Sequence, residues 1–113
     1  MSMLYDIILA PEAIEDLHHL KANIRATVRA ALASHLRHQP TRVSKSRIKR
    51  LRGLRHPQYR LRVDDIRVFY DVQEQVVEIL AIINKSEADA WLAQFGDREG
   101  ASDETDPAFG SEE

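Results

Sequence analysis

The 113-residue sequence contains no cysteine, which excludes disulfides and thiolate metal ligands alike. Its five histidines, at positions 18, 19, 35, 38 and 56, have no zinc-like spacing with acids, so no metal and no other cofactor is expected. No apolar run approaches the roughly 20 residues that a membrane-spanning helix needs, and no membrane partner is expected. The opening MSMLYDIILAPEA lacks the basic segment and small-residue cleavage site of a signal peptide, which points to the cytoplasm. The length suits one domain with one core.

What the chain has in quantity is unevenly placed charge. The net charge of -2 averages two opposed regions. From Asp97 onward, DREGASDETDPAFGSEE holds seven acids and one arginine, a balance of -6. Residues 97–113 therefore read as an acidic, disordered tail behind a domain at 1–96. Ten of the 15 basic side chains of that domain fall between Arg42 and Arg67, where Asp64 and Asp65 are the only acids. A segment of +8 creates a potential suited to a polyanion.

Leu4 to Leu9 (LYDIIL) is short and β-prone, and Pro11 suits the first turn of a helix. Ile14, Leu17, Leu20, Ile24, Val28, Leu32 and Leu36 recur every three or four residues, which makes one long helix or a helical hairpin with its break near Ala22 and Asn23. Pro40 ends this region. Strands are expected at about Arg47 to Leu51 or Arg52, Tyr59 to Val63, Ile66 to Gln73 and Val76 to Ile83, with Asp64-Asp65 and Glu74-Gln75 as two-residue hairpin loops. Ser86 to Phe95 reads as a short terminal helix capped by Ser86, with Trp91, Leu92 and Phe95 as its apolar stripe and Gly96 behind it.

The hairpin YRLRVDDIRVFYDV then has a fixed register. One face pairs Tyr59 with Tyr70, Leu61 with Val68, Val63 with Ile66, Tyr70 with Ile79 and Val72 with Val77, an apolar set for helices to cover. The other face sets Arg62 across from Arg67 and Arg60 across from Phe69. Two arginines directly opposed on neighbouring strands repel, and an anion between them reverses the sign. The bland alternative is a structural ion-pair network in which Asp71, Glu78 or the tail supplies counter-charge. Phe69, Leu80 and Ile82 are expected on this same face, under the last helix or a partner chain.

In the order PEAIEDLHHL, KRLRGL, QYRLRVDDIRVFYDV, VVEILAI and NKSEADAWL, the sequence resembles the RelE/ParE superfamily of bacterial toxins from type II toxin-antitoxin modules, over about residues 4–95. The resemblance implies an α+β fold: an N-terminal strand and helical hairpin on one face of a small antiparallel sheet, a short C-terminal helix, and a functional cleft on the other face. RelE-like members are implied to cut mRNA on the ribosome with the RNA's own 2′-hydroxyl as nucleophile. The partners implied are a cognate antitoxin, mRNA on the ribosome, and operator DNA reached through the antitoxin in a hetero-oligomer.

Carried over by position, Arg60 and Arg62 match the family's paired basic residues before the hairpin turn, and Arg67 its arginine after it. Guanidinium suits that role because it stays charged and grips phosphate through two parallel hydrogen bonds. Lys49, Arg50, Arg52, Arg55 and His56 would extend an RNA-tracking groove. The RelE tyrosine of the terminal helix is replaced by Leu92 or Trp91, and its preceding arginine by Ser86. Lys49, Lys85 and His56 are then the remaining groups for proton transfer, although His56, before Pro57, reads more readily as an exposed loop residue. Tyr59 and Tyr70 fall on the core face and are discounted. Two functions stay open: a ribosome-dependent endoribonuclease, or a ParE-like gyrase inhibitor without chemistry of its own. A basic binding module that has lost toxicity is a third.

Overall fold

A computed structural model describes residues 4–99. Strand β1 (Asp6–Leu9) leads through Ala10 into helix α1 (Pro11–His19), where Pro11 occupies the first turn and Glu12 complements the helix dipole. Helix α2 (Ala22–Ala31) follows after Leu20 and Lys21 and widens into a π-turn at Leu32–Leu36. The break is thus where expected, but Asn23 lies inside α2 and does not cap it. Arg25 closes the junction instead, donating from Nε to the Leu17 carbonyl at 3.2 Å and from Nη2 to His18 and Leu20 at 3.1 and 2.9 Å. All three carbonyls lie at the end of α1, where that of Leu17 also takes the Leu20 N–H at 3.3 Å.

The sheet has the order β1-β6-β5-β4-β2, built from β2 (Ile48–Arg50), β4 (Tyr59–Val63), β5 (Ile66–Gln73) and β6 (Val76–Asn84). Strands β2, β4, β5 and β6 are antiparallel, whereas β1 joins β6 in parallel because the helical hairpin carries the chain across. The expected β4–β5 register holds at all five pairs. Asp64 and Glu74 open the two hairpin loops with φ of 52° and 56°, a conformation that aspartate tolerates better than most residues.

The helices cover one face. Ala13, Leu17, Val28, Leu32 and Leu36 meet Leu61, Val68, Tyr70, Val77, Ile79 and their neighbours in a single core. Each fully buried aliphatic side chain there contributes about 1.5–3 kcal/mol over an exposed one. Ile14, expected in this stripe, is exposed.

On the other face the register shifts between Phe69↔Ala81 and Tyr70↔Ile79, so Leu80 is one residue extra in β6. This bulge turns Ile82 toward the helical core, against Val68, which corrects the face expected for it. Phe69 and Leu80 remain on the arginine face and the last helix is their lid: the Trp91 ring stacks on Phe69 at 5.1 Å and 5°. That helix, α3 (Ala88–Phe95), has no side-chain cap, so Ser86 does not cap it; the Asn84 carboxamide oxygen instead caps the preceding 3-10 turn at Lys85–Glu87, accepting from Ser86 N. A Cβ on Gly96 would stand 2.6 Å from the Leu92 carbonyl oxygen, so the close exit from α3 requires glycine. Two short strands were not anticipated: β3 (Leu54–His56) pairs with β7 (Asp97–Arg98), which ties the first residues of the expected tail to the domain. The tail from Gly100 onward lies outside the described residues.

Candidate nucleic-acid interface

Alternation along β4 and β5 puts Arg60, Arg62, Arg67, Phe69 and Asp71 on the face away from the helical hairpin. Arg62 stands opposite Arg67, and Lys49 on β2 stands beside Arg60. Arg67 bends back on the hairpin turn, donating from Nη1 to the Asp64 and Ile66 carbonyls at 2.8 and 3.1 Å. Among the described residues no carboxylate lies within 4.0 Å of these three guanidiniums. Asp71 does not act as their counter-charge, because its two oxygens are taken by His56 and by the backbone N–H of Gln58.

Arg60 carries the clearest mark of this arrangement. It is half-buried, and its Nε is sealed from solvent without an acceptor among the described residues. Burial, then Arg67 and Arg62, push its guanidinium below the usual arginine range. A fold seldom leaves such an N–H unmatched for stability's sake, since a buried unpaired donor costs about 1–3 kcal/mol.

The remaining expected residues divide. Lys49 joins the arginine face. Arg50 does not: its guanidinium lies 5.4 Å from the Tyr59 ring centroid, and Nη1 donates to the Leu51 and Gln58 carbonyls at 3.0 and 2.8 Å. It braces the core-side edge of the sheet. Arg52 is exposed in the turn after β2. Arg55 reaches Asp97 at 3.4 Å, and Lys85 reaches Asp65 at 3.4 Å, beside the turn that joins β4 to β5. His56 is more than a loop residue, because its Nδ1 lies 2.7 Å from Asp71 Oδ2. Its side chain is 56% exposed and that of Asp71 15%, so a half-buried carboxylate orients an open imidazole. Period-two alternation had placed Asp71 on this face, but the partner could not be read because β3 was not recognised.

Both tyrosines of the hairpin lie on the core side, away from the arginine face. Tyr59 and Tyr70 stack at 5.5 Å, and the Tyr70 hydroxyl donates to the Pro40 carbonyl at 2.6 Å. Burial, with Tyr59 adding to it, pushes the Tyr70 phenol well above its ordinary value. Helix α3 offers Trp91 and Leu92, both half-buried, and Asp89 as its only titratable side chain.

The fold recurs in solved toxins. The RelBE2 toxin-antitoxin complex of Mycobacterium tuberculosis matches with a TM-score of 0.61 and 26% identity, over 73% of this chain and 92% of that one. The archaeal RelE-RelB complex of Pyrococcus horikoshii matches at 0.60 and 23%, over 74% and 97%. A substituted RelE toxin of Escherichia coli in the free state matches at 0.59 and 20%, over 79% and 92%. No curated protein matches the sequence. The family model for the ParE toxin of the type II toxin-antitoxin system parDE matches residues 7–89. The chain belongs to the ParE toxin family, within the RelE/ParE superfamily of type II toxins.

Proposed function

We propose that the chain is a cytoplasmic ribosome-dependent mRNA endoribonuclease that a cognate antitoxin holds inactive. The observation that carries this reading is the Arg60–Arg62–Arg67 cluster, which among the described residues has no acidic partner and whose Arg60 Nε is sealed and unmet. Three fixed cations on a rigid sheet suit the charge that builds on a phosphorane, and they need no reorganisation when it forms. In the reaction the RNA 2′-oxygen bonds to phosphorus and loses its proton to a base. The P–O5′ bond then breaks and the 5′-oxygen takes up a proton, leaving a 2′,3′-cyclic phosphate. In this reading His56, whose Nδ1 meets Asp71 Oδ2, takes part in one of these transfers, and Lys49, opposite Arg60 on β2, is the alternative group. Arg52 and Arg55 extend the contact to the RNA backbone in the same reading.

An antitoxin segment with acidic and apolar side chains would cover the arginines together with exposed carbon such as Phe95, and through it the pair would reach operator DNA. Part of that affinity would be electrostatic and fall with salt.

One observation favours a second reading, inhibition of DNA gyrase: α3 supplies no hydroxyl where RelE carries its tyrosine. Expression from a tight promoter, with mRNA 5′ ends mapped and plasmid supercoiling assayed together, separates the two. In-frame cuts within translated codons support the ribonuclease. Broken DNA or an SOS response over intact mRNA overturns it in favour of gyrase.

A further inference from the structure

The basic side chains that this reading leaves aside gather around the β2 edge. A cleft of about 330 Å³ opens there, at the lower end of small-ligand sites. Ser34 and His35 reach it from the π-turn, Gln39 and Arg42 from the loop that follows, and Ser44 and Arg47 from the lead into β2. A π-turn is one residue wider than the α-helix it interrupts, and such turns concentrate at functional sites.

Among the described residues no carboxylate lines the cleft, and neither Arg42 nor Arg47 has an acidic partner within 4.0 Å. Arg42 is steadied by the Gln39 carboxamide, to which its Nη1 donates at 3.2 Å. Ser44 Oγ already accepts the N–H groups of Arg47 and Ile48 at 3.0 and 3.2 Å, so its own proton is left to donate. Ser34 is different, since its hydroxyl is spent on the Ala30 carbonyl at 2.8 Å. Burial, and then Arg47, hold the His35 imidazole below its ordinary value.

We infer that this cleft binds a phosphate group. Two guanidiniums, one hydroxyl and an imidazole that gains its second donor on protonation line one cleft, with no acid among the described residues to neutralise them. That donor set suits a compact tetrahedral anion. The group is either a free phosphate or a phosphodiester of a nucleic-acid strand. The Arg62 N–H donates to the Arg47 carbonyl at 2.8 Å, so the cleft adjoins the edge of the arginine face. The site stands whether the toxin cuts RNA or inhibits gyrase.

The test follows the His35 imidazole by NMR in the full chain while inorganic phosphate replaces chloride at constant ionic strength. Expected is a saturable shift at millimolar phosphate, with the His35 titration midpoint moving upward. Arg47→Gln and Arg42→Gln should each weaken binding about tenfold or more, as for a lost charge-assisted hydrogen bond. Arg29→Gln, an equal loss of charge on the exposed side of α2, should leave it unchanged. Addition of a short single-stranded RNA assigns the source. Displacement of phosphate by RNA, lost in Arg47→Gln, identifies a backbone site, whereas phosphate binding untouched by RNA identifies a free-phosphate site. A shift that never saturates, or that Arg47→Gln and Arg29→Gln affect alike, overturns the inference.

Discussion

The Asp16 carboxylate on α1 accepts the backbone N–H of Ile82 on β6 at 3.0 Å. Strand β1 ends at Leu9, opposite Ile79, so Ile82 lies beyond its reach, just after the bulge at Leu80. A helix side chain completes the ladder where the strand stops. Asp16→Ala would leave that N–H unpaired in a buried stretch, at a cost of about 1–3 kcal/mol. The melting temperature should fall by several degrees, and Asp16→Asn, which keeps an acceptor, should recover part of the loss. A calorimetric scan of the two variants reads the difference directly.

Arg25 holds a second junction from one side chain. Its three bonds to the Leu17, His18 and Leu20 carbonyls fix the angle between α1 and α2. Arg25→Ala removes all three and should destabilise by about 2 kcal/mol. Arg25→Lys should restore little, because an ammonium on a flexible stem cannot span carbonyls that a planar fork reaches together. Urea unfolding of both variants, compared with the parent chain, provides the check.

Neither junction was legible in the sequence, which marks only a break near Ala22 and Asn23, whereas the sheet register was. The β4–β5 register followed from alternation through a two-residue loop, since slipping by one residue would have turned Leu61, Val68 and Tyr70 outward. Alternation alone therefore puts Arg60, Arg62 and Arg67 on one face. Ile82 was misplaced because a bulge adds one residue without altering the apolar run that contains it. Arg50 was misassigned for a related reason: its charge suggested the groove, whereas its position opposite Tyr59 puts it on the core side of the sheet. The His56–Asp71 pair and the phosphate cleft depend on loops and on a three-residue strand, where no period exists to be read.

Because Arg62 and Arg67 oppose each other without a carboxylate within reach among the described residues, activity and stability should separate on substitution. On the proposed ribonuclease reading, Arg62→Ala removes a contact to the reacting phosphate and should lower cleavage on the order of 100-fold. Relief of the repulsion should leave folding unchanged or stabilise it by up to about 1 kcal/mol. Arg67→Ala should lose as much activity with little net change in stability, since it also gives up two bonds to the hairpin turn. Arg60→Met, which removes the sealed and unmet Nε, should melt higher while losing activity. Melting curves beside a growth-arrest assay decide the matter: variants that melt several degrees lower yet stay fully toxic would make these arginines structural.

His35 should make stability depend on pH in a direction fixed by its surroundings. Burial and Arg47 lower its basicity in the folded chain below the ordinary value of 6.5. The unfolded chain therefore binds the proton more readily, and stability rises with pH through this window. On acidification the contribution is intact above about pH 6.5 and is lost progressively as the pH falls toward the folded value. Arg42 and Arg47 line the same cleft and bear the same sign, so no neighbour there offsets the effect. Melting temperatures between about pH 7.5 and 5 should thus fall more steeply for the parent chain than for His35→Gln. Phosphate at constant ionic strength should flatten the parent's slope, because an anion beside the ring favours its protonated form. It should leave the slope of His35→Gln unchanged, and parallel slopes for the two proteins in both buffers would show that His35 does not sense the cleft.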